Sequence, residues 1–278
     1  MQKIFFILCC ALVLLCSTSC EEHMDIEHCP ISQDVNVPNP KIEKLIQQAR
    51  LGEIEAYDAL AVCYRNGDGV KQSVFNMMTM YALSCKKSGK NIKDIIKSLD
   101  ENHLLRLLID MLDHARVKDI PQETVAKLRN VSPADAMIYD AIYAFECKND
   151  TLASQQLLKE AAAKGSDMAC ILQIFLYEEL DNQELYEQSL HKYADRFPVL
   201  YVKLGELSMR DDSEGHWEQA VKYYTLADNN GMLTEEGALA LSSVYRMLEK
   251  EGKMKCDPKE MVRLEALANH KWKSLVSR

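Results

Sequence analysis

Seven histidines, ten cysteines and a surplus of carboxylates are the side chains in this sequence able to do chemistry. A metalloprotease wants two histidines one helical turn apart with a glutamate between them, and a serine hydrolase wants its nucleophile in a glycine-flanked elbow. Neither HExxH nor GxSxG occurs, and the histidines stand apart at 23, 28, 103, 114, 191, 216 and 270. His23 and His28, beside Asp25 and Glu27, have the donors for a surface metal, but a solvated linker accounts better for the same residues. Asp211-Asp212-Ser213-Glu214 lacks the alternating ligands and terminal glutamate of a calcium loop and reads as a turn between helices. Glu178-Glu179 reads as a solvated helix face. The expectation is a chain without catalysis, cofactor or metal.

One cysteine is different. Met1-Gln2-Lys3 is a short positive start, Ile4–Leu15 is apolar, and Cys16-Ser17-Thr18-Ser19-Cys20 follows with small residues. At ~1.5 Å per residue the apolar run spans about 18 Å, well short of a hydrocarbon core of roughly 30 Å. It therefore reads as a signal peptide over 1–19. Ser17-Thr18-Ser19-Cys20 resembles a lipobox, in which the cysteine thiol is acylated and becomes the new N-terminus, although Ser17 stands where leucine is commonest. Ordinary cleavage giving a free secreted protein is the other reading. Residues 20–40 are polar, carry Pro30, Pro38 and Pro40, and lack helical periodicity, which is the composition of a flexible tether. Glu21-Glu22 resembles the acidic export signal of some Bacteroidota surface lipoproteins. The expected location is the cell envelope, lipid-anchored to the outer membrane on its surface or periplasmic face, with the anchor as the only membrane contact.

Removing residues 1–19 leaves about 259 of the 278, enough for one elongated domain or two compact ones. The net charge of −9 excludes a nucleic-acid partner, since no basic stripe with interleaved aromatics exists. Cys9, Cys10 and Cys16 leave with the signal. Besides Cys20, that leaves Cys29, Cys63, Cys85, Cys147, Cys170 and Cys256, with no CxxC and no metal-like spacing. Several sit in apolar stripes, where a free thiol behaves as a small hydrophobe.

From Lys41 to Arg278 the pattern is helical almost throughout. Ala, Leu, Met, Lys, Glu and Gln fill segments of about 10 to 16 residues, punctuated by Gly52, Gly67, Gly69, Gly89, Gly165, Gly205, Gly215 and Gly231. A frame recurs. Ala56, Leu60-Ala61 and Tyr64 set it, Ala169 and Tyr177 repeat it, and Leu241-Ser242-x-x-Tyr245 repeats its second half. Tyr139-Asp140-x-x-Tyr143 and Leu204-Gly205-x-x-Ser208 fit more loosely. The frames close at 64, 143, 177, 208 and 245, so the later units recur every 31 to 37 residues. A second helix repeats as Ala220-Val-Lys-Tyr223-Tyr224-x-x-Ala227 before Gly231 and as Met78-Thr-Met-Tyr81-Ala82-x-x-Cys85 before Gly89.

Tyr64-Arg-Asn-Gly67-Asp-Gly69-Val70, followed by Tyr81-Ala82 and Gly89, resembles the Sel-one-like repeat, a relative of the tetratricopeptide repeat. Units at 41–89 and 198–231 match best, those at 131–165, 166–197 and 232–270 in part, and 90–130 is degenerate. The resemblance implies an all-α fold, a right-handed superhelical solenoid of antiparallel helix pairs spanning 41–278. It also implies a concave face lined by first helices, presenting Glu55, Asp58, Val62, Arg65, Met137, Ala141, Glu206, Met209, Leu239 and Arg246. Cysteine-rich members bridge adjoining helices. The partner expected for Cys85 falls on Lys93, which leaves Cys63–Cys85 as the candidate bridge.

Asp150-Thr151-Leu152 resembles the acceptor triplet for O-glycosylation of Bacteroidota envelope proteins, which makes Thr151 a candidate acceptor in an inter-helix turn. The function expected is non-catalytic binding of an unidentified protein or peptide. The alternative is capture of a small nutrient or glycan. Glycans want exposed aromatic platforms, and of the two tryptophans, Trp217 lies where the repeat would bury an apolar residue.

Overall fold

A computed structural model describes residues 39–268 apart from 115 and 212. The expected signal peptide over 1–19, Cys20, His23, His28, Cys29, His270 and Trp272 lie outside the described residues. The fold is all-α: fourteen helices and one 3-10 turn, with no strand among the described residues.

Local chemistry sets most helix starts. Asn39, Ser73, Asn91, Ser132, Asp150, Ser166, Asn182 and Thr234 each precede a helix and accept a hydrogen bond from one of its first free backbone N–H groups. The first helix, α1 (Pro40–Arg50), corrects the expected tether boundary. Pro40 reads as tether by composition, but proline at the first helical position has its φ already set, and the Asn39 carbonyl oxygen Oδ1 caps Lys41 N at 3.0 Å.

The first hairpin is α2 (Ile54–Asn66) and α3 (Val74–Ser88). Gly67 ends α2 at φ 78°, a left-handed cap that L side chains resist. The degenerate stretch is built of shorter pieces: α4 (Ile92–Lys97), α5 (Leu104–Leu112), the 3-10 turn Val117–Asp119 and α6 (Gln122–Val131). Regular hairpins then resume with α7 (Pro133–Lys148) and α8 (Thr151–Ala163), and α9 (Asp167–Glu179) with α10 (Gln183–Ala194). The last four are α11 (Leu200–Arg210), α12 (His216–Asn229), α13 (Glu235–Lys250) and α14 (Pro258–Ala268). Each long helix packs on its chain neighbour.

Two helices are buried over most of their surface. Along α3, Phe75, Met77, Met78, Met80 and Leu83 are covered, and so are Asn76, Thr79 and Ser84. Along α9, every residue from Asp167 to Leu176 is buried except Phe175. A helix without a solvated face must be enclosed, and α3 and α9 do pack on each other. Most of their polar groups are paired across the joint, the buried Asn76 Oδ1 being left without a hydrogen-bond partner. Ser73 Oγ donates to Asp167 Oδ2 at 2.6 Å, Arg196 pairs with Asp167, and Asn76 Nδ2 donates to Arg196 O at 2.9 Å. Phe75 meets Phe197 edge-on at 5.2 Å.

The path also closes on itself. Helix α1 packs against α12, and Arg263 of α14 donates to Arg50 O at 2.8 Å. In an open stack the first and last units stay apart. Here Arg50 of the first helix and Arg263 of the last share the buried Asp228.

Gly205, read from sequence among the punctuating glycines, sits instead in the middle of α11. A Cβ there would lie 2.8 Å from Cζ of the fully buried Tyr224, so glycine is what lets α11 and α12 approach.

Candidate functional site

The residues expected on the concave face differ in burial and in their contacts. Glu55, Asp58, Val62 and Arg65 share the outer side of α2, where Arg65 bonds its neighbour Asn66 at 3.2 Å. Tyr81, its hydroxyl pushed up by burial, feels the charges of Asp58 and Arg65 and belongs to this patch. Glu206 takes Lys203 at 2.8 Å, and Met209 takes the Tyr224 hydroxyl at 3.3 Å, both local contacts of α11 and α12. Leu239 stands 56 % exposed on α13, and Arg246 pairs with Glu265 of α14.

On α7 the expected register is corrected. Ala141 is fully buried, and Met137 is half-buried under Lys164, which reaches its sulfur at 3.7 Å. Two residues along a helix turn the side chain by roughly 200°, so the outward stripe passes to Tyr139 and Tyr143. The two rings lie 6.2 Å apart and are nearly parallel at 26°, with Tyr143 37 % exposed. The sequence marked them only as a loose repeat frame.

Between these tyrosines and α8 opens a cleft of about 420 Å³. Tyr139, Asp140, Tyr143 and Lys148 line one wall, and Asp150, Ala153 and Leu157 line the other. Three polar groups on its rim are held by hydrogen bonds. Gln122 Nε2 donates to the Tyr139 hydroxyl at 2.9 Å, Arg129 donates to Asp140 at 3.1 Å, and Asp150 Oδ1 caps Ala153 N at 2.9 Å. Lys148 Nζ lies 5.8 Å from the centre of the Tyr143 ring. Thr151 opens α8 beside this cleft, half-buried, while Leu152 is 77 % exposed. A second, apolar cavity of about 50 Å³ among Phe75, Ile171, Ile174 and Tyr186 is a packing void.

Cys63 and Cys85 are buried free thiols, which overturns the candidate bridge. Cys85 lies within reach of Asp58, whose charge, after burial, helps push the thiol up.

Among the described residues no cluster of three or more His, Cys, Asp or Glu is placed to hold a metal, and no helix is long and apolar enough to cross a membrane. No protein-family model, curated protein or solved structure matches the chain.

Proposed function

We propose that this chain is a lipid-anchored envelope protein, held through Cys20, whose helical-repeat domain binds another protein without catalysis. The observation that carries the binding role is the outer face of the last helix pair. Leu239, at 56 % exposed, and Met247 share that side of α13, Val262 of α14 is 67 % exposed, and the Arg246–Glu265 pair joins the two helices. Large apolar side chains left in water on an otherwise well-filled fold mark a contact surface when they gather on one face. The Sel-one-like resemblance supports the same role, since stacked helix pairs bind through extended surfaces.

A photo-crosslinking residue at position 239 in living cells tests it, with one at the exposed Lys159 as control. A single adduct from 239, lost on Val262→Asp, supports the function. Adducts equal at both positions, or none, refute it. Mass analysis of the N-terminal peptide tests the anchor separately, and a free, unacylated N-terminus removes it. The same spectra test Thr151: native and Thr151→Ala chains differing only by the side-chain mass would exclude a glycan there.

A second function, capture of a small glycan, is favoured by one observation, the tyrosine-lined cleft between α7 and α8.

A further inference from the structure

The α7–α8 cleft, at about 420 Å³, falls in the lower part of the ~300–1,000 Å³ range of ligand pockets. Its lining selects against most ligand classes. Asp140 and Asp150 repel a phosphate or carboxylate. Lys148 already occupies the cation position near the Tyr143 ring, so a basic ligand meets like charge. A purely apolar group would cover the rings but leave the carboxylates and the ammonium stripped of water without partners.

A neutral ring with one C–H-rich face and hydroxyls around its edge meets none of these penalties. Its C–H face carries slight positive charge and packs on the electron-rich face of a tyrosine. Each hydroxyl both donates and accepts, which suits a rim with acceptors on Asp150 and a donor on Lys148. Two nearly parallel rings one helical turn apart lay aromatic surface along one wall of the cleft. The contacts of Tyr139, Asp140 and Asp150 with Gln122, Arg129 and Ala153 fix the rim beforehand, which lowers the ordering cost of binding.

We infer that this cleft binds a neutral saccharide, with one pyranose ring on Tyr143 and its neighbour toward Tyr139. The inference rests on the second function above and is independent of the protein-binding face on α13 and α14.

The test uses the full acylated chain in a zwitterionic, sugar-free detergent, titrated with cellobiose, maltose, chitobiose and mannobiose by saturation-transfer NMR. At least one disaccharide binds, with transfer strongest at its ring C–H protons. Tyr143→Ala weakens that binding about tenfold, the worth of one lost stacking contact, whereas Tyr143→Phe retains it. Ala153→Arg, which fills the cleft from the opposite wall, abolishes binding even if Tyr143→Ala proves unstable. Leu239→Asp leaves it unchanged. Binding of none of the four sugars, or equal binding by Ala153→Arg and the parent, overturns the inference. A chain that ignores all four yet keeps its crosslinked partner through position 239 loses only this site.

Discussion

Asp228→Asn tests whether the ends of the chain are held together by one carboxylate. Asp228, at the end of α12, is 3 % exposed and receives both arginines of the closing joint. Arg50 donates through Nε at 2.8 Å and lies at 2.7 Å through Nη2, while Arg263 donates at 3.1 Å to Oδ1 and 2.7 Å to Oδ2. Glu260 balances the second guanidinium, which holds its carboxyl below the usual range. Asparagine has the same shape and keeps one acceptor but removes the charge, so two guanidiniums then face each other across an amide.

Removing one partner of a buried ion pair costs ~3–5 kcal/mol because the other charge is left without compensation. Arg50 and Arg263 keep 22 % and 14 % exposure, so water relieves part of this, and the lower end, about 3 kcal/mol, is expected. For a domain of this size that lowers Tm by roughly 6–12 °C. Urea unfolding gives the magnitude, and hydrogen exchange gives the place. Protection should be lost first in α1 and α14, the two helices whose attachment passes through Asp228. A companion variant, Arg50→Met with Asp228→Leu and Arg263→Met, removes the three most buried charges and leaves only Glu260, 31 % exposed and within reach of water, so it should cost less than Asp228→Asn alone. Stability within about 0.5 kcal/mol of the parent, or a uniform loss of protection, would refute the closing role of this carboxylate.

Gly205→Ala gains about 1 kcal/mol of helix propensity but drives a methyl into the buried Tyr224 ring, an overpacking cost of ~1–3 kcal/mol. A net loss in urea melts is expected, relieved by adding Tyr224→Leu, and a net gain would sink the close-approach explanation. His103 caps α5 by accepting Leu105 N on Nδ1 at 3.2 Å, and burial together with Arg65 holds its pKa below 6.5. Between that folded value and 6.5 the unfolded chain binds more protons, so stability falls as pH drops from 6.5 through the folded value. NMR titration of His103 beside urea melts checks this, and His103→Asn, a cap that does not titrate, should flatten the slope. Cys63 and Cys85 should both alkylate in denaturant without prior reduction, and a mass gain on reduction shared by their peptides would contradict the free thiols.

Helix starts depend on sequence neighbours and are legible there in principle. Ser73, Ser132, Ser166 and Thr234 each stand one residue before a helix, where a short oxygen side chain replaces missing backbone partners. Proline carries two meanings, semi-rigid linker and helix start, and only Asn39 in capping geometry separates them at Pro40. The joints were illegible because their partners are remote: Ser73 and Asp167 are 94 residues apart, Arg50 and Asp228 178. Nothing near Asp228 in sequence distinguishes it from the other acidic residues of a chain with 42. The α7 register failed for a different reason. Tyr139 and Tyr143 fit the frame as large residues, but a partial unit fixes the period without fixing which side faces inward, and Ala141 took the buried place.

That error bears on where this fold can bind. In an open stack of helix pairs the inner curve is free and supplies the contact surface. Here α3 and α9 are largely enclosed, and the Asp228 joint draws the first helix onto the last pair. Residues assigned to an inner curve are thereby divided, Ala141 into the core and Leu239 and Arg246 onto the outside. What stays accessible is the outer surface, where side chains that burial would favour have been left in water: Tyr143 and Leu152 beside the α7–α8 cleft, Leu239, Met247 and Val262 on the closing pair. Each such residue forgoes burial worth about 1.5–3 kcal/mol when complete. Leu51, Val131 and Leu180 are exposed elsewhere on the fold, so exposure alone does not mark a site, and crosslinking from position 239 and the sugar titration of the cleft decide between packing and recognition for these two groups.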